Sequence, residues 1–424
     1  MRQLKIVTLF FLLLTSAAGL RAQNNTSPYS VIGIGDIEKS FFDRSTGMAN
    51  TGISLSSNRF LYQANPASYS ALDNHFFNIE VATRFKGVTY SGTPITSGAT
   101  GDAASDLQFK KVVLATKIKS WWGVSLGLLP FSTSNYSFSA SKAVVGTSQS
   151  VPADYEGSGS TNQFYLTNSF RINKNFSVGV QASYLFGQLL QKETLNTTGL
   201  TDSILITSRN LVLNNFYFTF GAQYHAKLSQ KLGINIGVTA SPKTNLRADY
   251  NLQVQSGNTM LIPGLYYKQN YFALPVAYAA GISATLKDAY IFALDYSHQD
   301  WNSLQYSGLS YNLVNSDRIS GGFEYSSKTK LRDGSSFEKY FLQSGLFYDQ
   351  SYLKLNGTQL KNYGMTVGGG FSPARFPNFG FQASLEVGVN GTTNNGLIRE
   401  NYTQFNLTLT YRDLWIPAHL RKYD

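Results

Sequence analysis

The chain contains no cysteine and only four histidines among its 424 residues. The lack of cysteine excludes disulfides, thiolate metal sites and a lipid anchor on cysteine. The histidines, His75, His225, His298 and His419, are widely separated and never stand at the spacing of metal ligands. We therefore predict no metal, no cofactor and no enzymatic activity, and we interpret His225 as a solvated side chain rather than a catalytic base.

Charged residues are also scarce, at 14% of the chain against roughly 25% in typical soluble proteins. Beyond the N-terminus, no segment approaches the roughly 18 continuous apolar residues of a membrane-spanning helix. Aromatic residues are abundant instead, with 27 tyrosines and 29 phenylalanines. This combination is typical of a chain that crosses a membrane as a closed β-barrel.

The net charge of +11 comes without any cluster of basic and aromatic residues. Nucleic acid is therefore not predicted as a partner. We expect the lysines and arginines to lie near the edges of a membrane, facing membrane lipid and lipopolysaccharide head groups.

The N-terminus has the features of a secretory signal peptide. Arg2 and Lys5 precede the apolar run "IVTLFFLLLTSAAGL" (6–20), which is too short to span a membrane. We place the signal at residues 1–22, with cleavage after Ala22. An exported barrel is expected in the outer membrane of a Gram-negative bacterium.

Apolar and polar residues alternate along most of the chain, which predicts β-strands. In "NFYFTFGAQYHAKL" (215–228), Phe216, Phe218 and Phe220 oppose Thr219 and Gln223. The fold class is therefore all-β, a transmembrane antiparallel barrel of about fourteen strands occupying residues 75–424, with a C-terminal tail in the periplasm. The predicted strands span 75–86, 106–118, 121–132, 162–172, 176–188, 212–227, 231–240, 277–286, 289–299, 316–326, 339–350, 363–373, 379–390 and 401–411.

The connections between these strands alternate in length. Five are predicted to be short periplasmic turns, and a sixth, around 327–338, comes out long. Long outer loops are predicted at 87–105, 133–161, 189–211, 241–276 and 300–315.

Residues 23–74 precede the first strand and show no long stretch with the apolar periodicity of a helix or of a strand. They carry enough apolar residues to pack, and we predict that they form an N-terminal hatch inside the barrel. Within it, Asn65 is expected to cap a short helical turn that starts at Pro66.

Several motifs resemble the FadL family of outer-membrane transporters for hydrophobic compounds. "GMANTGISL" (47–55) leads to Asn65, Pro66 and Ala67 just before the first strand. Further similarities, in the same order, are "WWGVSLGLLPF" (121–131), "LPVAYAAGISATLKDAYIFALDYSHQDWNS" (274–303) and "GMTVGGGF" (364–371). The final "LTLTYRDLWIPAHLRKYD" (407–424) is similar to the ends of such proteins from the Bacteroidetes.

The resemblance implies a 14-stranded barrel whose hatch contains Asn65, Pro66 and Ala67. It also implies an apolar ligand pocket and a sideways exit through a gap in the wall. The chain departs from the family at 188–215, where the outer loop shows no helical apolar stripe for gathering lipid.

Two groups of side chains are candidates for the lumen or for a ligand. Glu80, Arg84 and Lys86 project inward from the first strand, where they either hold the hatch or contact a passing substrate. At or beyond the outer end of the third strand, aromatic side chains either line a pocket mouth or belong to the interfacial girdle. These are Phe131, Tyr136 and Phe138. For Trp301, after the ninth strand, we favour a place in the interfacial girdle.

Two functions remain open. The first is a passive channel that binds small hydrophobic molecules and admits them through a shifting hatch. The second is a barrel that does not transport, serving as a subunit of an outer-membrane protein secretion or assembly complex. The first is favoured at this point, although fold alone does not decide function.

Overall fold

A computed structural model describes the chain from residue 27 to residue 415, with gaps. The predicted signal peptide and residues 416–424 of the predicted tail lie outside the described residues. Among the residues described, no helix is long and apolar enough to cross a membrane. The described residues are 27–92, 103–144, 146, 148–196, 204–304, 311–330, 336–373 and 375–415.

Nineteen strands of the described residues belong to one continuous sheet. They are β1 (Asp36–Ile37), β2 (Phe76–Gly92), β3 (Ala103–Lys119), β4 (Trp122–Thr133), β5 (Tyr136–Ala143), β6 (Ser150–Arg171), β7 (Phe176–Asn196), β8 (Ile204–Lys227), β9 (Leu232–Ser241), β10 (Thr244–Ser256), β11 (Thr259–Leu274), β12 (Ala277–Leu286), β13 (Tyr290–Gln299), β14 (Tyr311–Leu313), β15 (Ser316–Lys330), β16 (Ser336–Leu355), β17 (Thr358–Phe371), β18 (Phe379–Gly391) and β19 (Ile398–Leu414).

Fourteen of these strands form a closed antiparallel barrel, because β19 pairs with β2 along its whole length. The other thirteen wall contacts join β2–β3–β4–β6–β7–β8–β9–β12–β13–β15–β16–β17–β18–β19 in chain order. Each predicted strand coincides with one of these wall strands, so the predicted barrel of fourteen strands is confirmed. Closure leaves the wall without a free sheet edge, as a membrane barrel requires.

The outer surface of the wall is apolar, as the alternation predicted. Phe109, Phe216, Phe292 and Leu342 are more than half exposed on it, with many similar side chains around the barrel. Their inward neighbours are buried and polar, for example Gln223 beside Phe220 and Tyr224. An exposed apolar belt of this kind faces lipid.

The lengths of the connections between strands distinguish the two ends of the barrel. Short connections, such as Ser120–Trp121 between β3 and β4, lie at the end that contains Phe76 and Leu414. We call this the inner end, since short turns are periplasmic in such barrels. The opposite end is the outer end.

Three of the predicted long outer loops are wrong over most of their length. The region 133–161 is largely strand, because it contains β5 and the first part of β6, which pair with each other. The region 189–211 is largely strand, because β7 and β8 continue to Asn196 and from Ile204 and pair there. The region 241–276 forms the hairpin β10–β11, with β10 also paired to β8. In these extensions charged residues such as Lys192, Glu193 and Arg209 interrupt the apolar alternation that identified the other strands.

Residues 27–74 pack inside the barrel and are called the hatch below. Tyr29 lies at the outer end, where its hydroxyl donates to the Ile398 carbonyl at 2.5 Å. Ser70 lies near the inner end, where its N–H donates to the Ser169 hydroxyl at 2.9 Å. Strand β1 pairs with β4 between these two points. The hatch therefore descends through the lumen from the outer end to the inner end.

Candidate functional site

The inner part of the hatch is organised by Asn65. Its side-chain oxygen accepts from the Ala67 N–H at 3.0 Å and caps the 3₁₀ turn Pro66–Ala71. Its amide nitrogen donates to the carbonyl of Ile53 at 3.0 Å and to that of Ala222 on β8 at 3.1 Å. The predicted cap is confirmed, and the same side chain also ties the turn to the wall.

Two wall glycines leave room for this turn. A Cβ on Gly221 would lie 2.1 Å from the Asn65 side-chain oxygen, and one on Gly179 would lie 2.4 Å from the Pro66 backbone. Both distances are far below van der Waals contact. The wall is therefore shaped to seat Asn65 and Pro66 against it.

An ion-paired group in the lumen joins the hatch to β2 and β3. Glu38 Oε2 lies 2.8 Å from Arg84 Nη1 and 3.3 Å from Lys110 Nζ. Burial alone would raise the pKa of Glu38, but the two cations lower it to about 2. Glu38 is therefore a carboxylate at neutral pH, and its charge is compensated.

Glu80 belongs to a second buried pair. It lies 2.7 Å from Lys111 Nζ, which also approaches the Phe42 carbonyl of the hatch at 3.4 Å. Glu80 and Arg84 thus point inward, as predicted. Arg84 contacts the hatch through an ion pair, and the Glu80–Lys111 pair contacts it through the hydrogen bond from Lys111 to the Phe42 carbonyl.

Sequence alternation did not identify the two lysines of β3, which are consecutive and both buried. The ladder shifts register there: Ala82 pairs with Lys111, while Thr83 pairs with Phe109. Lys110 is the extra residue of this bulge. A β-bulge turns a side chain that would otherwise face lipid into the lumen.

Lys86 lines a polar chamber rather than contacting the hatch through a described ion pair. Its Nζ lies 5.1 Å from the centre of the Tyr402 ring. The chamber has a volume of about 350 Å³ and is also lined by Lys39, Arg318 and Asp349. Lys39 and Arg318 both bind Asp349, at 3.0 and 2.8 Å. Charged groups therefore line this chamber.

Arg44 of the hatch is the most densely paired side chain. It contacts Glu324 at 2.6 Å and Glu338 at 2.8 Å, on β15 and β16. Its guanidinium also lies between the rings of Phe60 and Phe341, at 4.1 and 3.9 Å from their centres. Arg44 is 4% exposed, so this group is desolvated and holds the hatch to the wall at β15 and β16.

Asp295 on β13 anchors the middle of the hatch. One of its oxygens accepts from the Gly52 and Ile53 N–H groups at 2.7 and 2.9 Å. Gln223 on β8 donates to the carbonyls of Ile53 and Leu55 at 2.9 and 3.0 Å. The sequence singled out neither residue as a hatch anchor, because their partners lie about 170 to 240 residues away in the chain.

The structure brings together two of the three predicted aromatic candidates, Tyr136 and Phe138, whose ring centres are 5.8 Å apart. Phe131 packs edge-on against Tyr217 inside the barrel, with ring centres 5.8 Å apart. Tyr136 and Phe138 lie on β5, where Phe138 stacks on Tyr155 at 5.1 Å. Trp301 is 1% exposed, so its predicted place in the interfacial girdle is wrong.

Trp301 instead belongs to an apolar cluster in the outer part of the lumen, which we call the outer cluster. Its ring stacks on Tyr352 with centres 4.5 Å apart and contacts Phe272 at 5.7 Å. The cluster joins the hatch to opposite sides of the wall. Its buried members are Tyr29, Ile34, Leu185, Leu189, Leu211, Leu213, Leu246, Ala248, Phe272, Leu274, Trp301, Leu313, Tyr352, Leu353, Leu355, Leu360 and Leu397.

Within the part of the chain that the structure describes, no group of three or more histidine, aspartate or glutamate side chains could hold a metal ion. The strongest contacts between hatch and wall are ion pairs and backbone hydrogen bonds.

Comparison with known families gives a match over nearly the whole chain. The model of the BamG family matches residues 2–424. The chain belongs to the BamG family. No curated protein matches the sequence of this BamG-family chain.

Solved structures similar to the BamG-family chain include a FadL homologue and two toluene transporters. A FadL homologue from Pseudomonas aeruginosa matches with a TM-score of 0.60 and 14% identity, over 88% of this chain and 98% of that one. The toluene transporter TodX from Pseudomonas putida matches with a TM-score of 0.56 and 14% identity, over 89% and 98%. The toluene transporter TbuX from Ralstonia pickettii gives 0.52 and 13%, over 83% and 92%. At these identities the matches establish a FadL-like barrel fold.

Proposed function

We propose that this BamG-family chain is a closed barrel subunit of an outer-membrane protein complex, of the kind that secretes or assembles proteins. The observation that carries the proposal is the filling of the lumen. The ion-paired hatch occupies the inner and middle parts, and the outer cluster occupies the outer part. A conduit for hydrophobic molecules needs a continuous apolar route, whereas the chamber here is lined by charges such as Arg84 and Asp349.

The height of one side of the wall supports the same proposal. Strands β6, β7 and β8 have 22, 21 and 24 residues. Crossing the membrane requires only about 9–11 residues. The extra length, with β5, β10 and β11 paired to it, forms a sheet that stands above the lipid belt. Such a sheet offers a large surface to another protein outside the membrane.

A hatch locked by a disulfide tests the proposal. The hydroxyls of Thr51 in the hatch and Ser320 on β15 are 3.0 Å apart and buried. Replacing both with cysteine places two thiols within reach of a disulfide in a chain that has no other cysteine. The single variants Thr51→Cys and Ser320→Cys are matched controls.

The locked double variant is expected to complement a deletion of the gene as well as the wild type does, with a normal content of other barrels in the outer membrane. A subunit acts through its outer surfaces, so fixing the hatch should not reduce its function. If the oxidised lock abolishes function and a reductant restores it, the hatch must move and the proposal is wrong.

A second candidate is passive transport of small hydrophobic molecules. It is favoured by a second cavity of about 270 Å³, lined in part by Phe131, Tyr217 and Trp301 and lying against the wall. Transport through a shifting hatch would be blocked by the Thr51→Cys/Ser320→Cys lock. Uptake of a labelled hydrocarbon by cells that carry the oxidised lock separates the two candidates.

A further inference from the structure

The inner end of the barrel carries positive charge on its strand connections. Each of the six connections there contains, or lies close to, an exposed lysine or arginine, and we call these side chains the turn cations. They are Lys119, Lys174, Lys231, Lys287, Lys339 and Arg375. Of the described carboxylates beside these connections, Asp73 and Glu338 already bind Arg412 and Arg44. The inner end therefore presents a positive surface to the periplasm.

Lys117 lies within this ring, at the opening of the lumen at the inner end, which we call the inner mouth. It stands near the end of β3, where its neighbour Ile118 is exposed to lipid while Lys117 itself is buried. Its ladder partner on β4 is Gly123, at which a Cβ would clash with the Tyr69 carbonyl oxygen of the hatch. Lys117 therefore faces the lumen, and the wall separates it from the surrounding lipid.

The ammonium of Lys117 makes neither an ion pair nor a hydrogen bond with any described residue, although Lys117 is only 6% exposed. The charged groups near it are Arg171 and Asp73. Arg171 donates to the Ser70 carbonyl at 2.8 Å, and Asp73 is bound to Arg412. A largely desolvated ammonium without a partner is unfavourable, and a carboxylate supplied by a ligand would remove that cost.

Two more arginines extend the positive charge from Lys117 across the inner mouth. Arg412 binds Asp73 and lies 3.8 Å from the centre of the Phe76 ring. Arg59 of the hatch is close enough to Arg412 for the two positive charges to repel each other. The inner mouth therefore holds more positive than negative charge, and an incoming anion meets several cations at once.

The positions of these cations indicate what kind of anion fits them. The turn cations are spread over all six inner connections, so a single phosphate-sized ion would contact only one or two of them. Phospholipid head groups reach the turn cations from outside the barrel, but the wall keeps them from Lys117. An extended acidic polypeptide in the periplasm reaches both Lys117 and the turn cations.

We propose that the inner mouth binds an acidic segment of a periplasmic protein. One carboxylate of the segment pairs with Lys117, and neighbouring carboxylates contact the turn cations. The inference rests on the proposed function, because it gives a chemical class to one partner of the proposed complex.

The test uses the full-length barrel in nanodiscs of phosphatidylcholine, which carries no net charge. The probes are fluorescein-labelled decaglutamate, decaglutamine of the same length, and inorganic phosphate as a competitor at constant ionic strength. Fluorescence anisotropy is expected to show that decaglutamate binds saturably, one per barrel, and at least about tenfold more tightly than decaglutamine. Phosphate is expected not to displace it, because one small anion replaces few of its contacts.

Two variants locate the site. Lys117→Met removes the charge but keeps a long side chain, and it is expected to weaken decaglutamate about tenfold, because a hydrogen bond between charged groups is lost. Lys361→Met is the matched control, since it removes the same charge from an exposed residue near the outer end of β17. It is expected to change the affinity less than about twofold, because salt screens a charge at that distance.

Folding of each variant is checked by the heat-dependent gel mobility of the barrel. Lys117 has no described partner to lose, so Lys117→Met is expected to fold. The comparison of probes on the wild type stands whether or not a variant folds.

Binding of anionic lipid is measured separately, by counting phosphatidylglycerol retained on the barrel in native mass spectrometry from mixed nanodiscs. The wild type and Lys117→Met are expected to retain equal numbers, because lipid does not reach Lys117. Fewer retained lipids in Lys117→Met, with unchanged decaglutamate binding, would make lipid the occupant and overturn the proposal.

Three other results would overturn the proposal as well. They are equal affinity for decaglutamate and decaglutamine, displacement of decaglutamate by phosphate, and equal weakening in Lys117→Met and Lys361→Met. These measurements use the isolated barrel, so their failure would leave the proposed complex standing. A barrel that binds decaglutamate as expected but is released from its membrane without a protein partner would instead contradict the proposed function.

Discussion

Removing the Arg44 guanidinium is expected to release the hatch without opening the barrel. In Arg44→Met, the buried carboxylates of Glu324 and Glu338 lose their common partner. Breaking a buried ion pair on one side costs about 3–5 kcal/mol, since the remaining charge is uncompensated. Because about 1.4 kcal/mol corresponds to a factor of ten, hatch opening should increase roughly 10²- to 4 × 10³-fold. Loss of the contacts with Phe60 and Phe341 adds to this effect.

Hydrogen–deuterium exchange with mass spectrometry measures this directly in the detergent-solubilised barrel. Peptides covering the hatch are expected to exchange faster in Arg44→Met, while peptides of the lipid-facing wall strands keep their protection. The matched control combines Arg44→Met with Glu324→Gln and Glu338→Gln, which leaves no unpaired charge. It should recover most of the protection, because amides cost less to bury than carboxylates.

Wild-type exchange in the hatch of Arg44→Met would refute the reasoning. So would a triple variant that is as destabilised as the single one. The first result would mean that other contacts hold the hatch, and the second that the unpaired carboxylates are not the cause.

Two further predictions concern the other hatch contacts. Gly221→Ala should dislodge the Asn65 turn and raise proteolysis of the hatch. Gly233→Ala should not, since the atom nearest to a Cβ at Gly233 is 3.8 Å away. Equal proteolysis of the two variants would contradict this. The pKa of Glu38 is lowered to about 2, so its contribution to hatch stability is present above its unfolded pKa of about 4.5. That contribution should be lost as the pH falls from about 4.5 through 2, and exchange of hatch peptides across this range should rise less in Glu38→Gln. An identical rise in both proteins would count against the pair with Arg84.

The barrel could be predicted from the sequence because lipid imposes a strict alternation. Phe216, Phe218 and Phe220 face outward for that reason, and Gln223 faces inward. The cap at Asn65 could also be predicted, since its partner Ala67 is two residues away. The alternation depends on the lipid that surrounds the whole barrel, and the cap depends on residues that are close together in the chain.

The contacts that hold the hatch could not be predicted in the same way. Arg44 meets Glu324 across 280 residues, and that meeting depends on the register of many intervening strands. Lys110 faces the lumen only because of a bulge, which breaks the alternation that the prediction used. The extensions of β7 and β8 could not be predicted because charged residues such as Lys192, Glu193 and Arg209 interrupt their apolar alternation.

The most direct test of the central claim is native mass spectrometry of this chain, released mildly from its own outer membrane. The account predicts a fixed stoichiometric complex with another protein, and the same complex for the oxidised Thr51→Cys/Ser320→Cys variant. A barrel that is released alone, without a protein partner, and that takes up hydrocarbon only when its hatch is unlocked would contradict it.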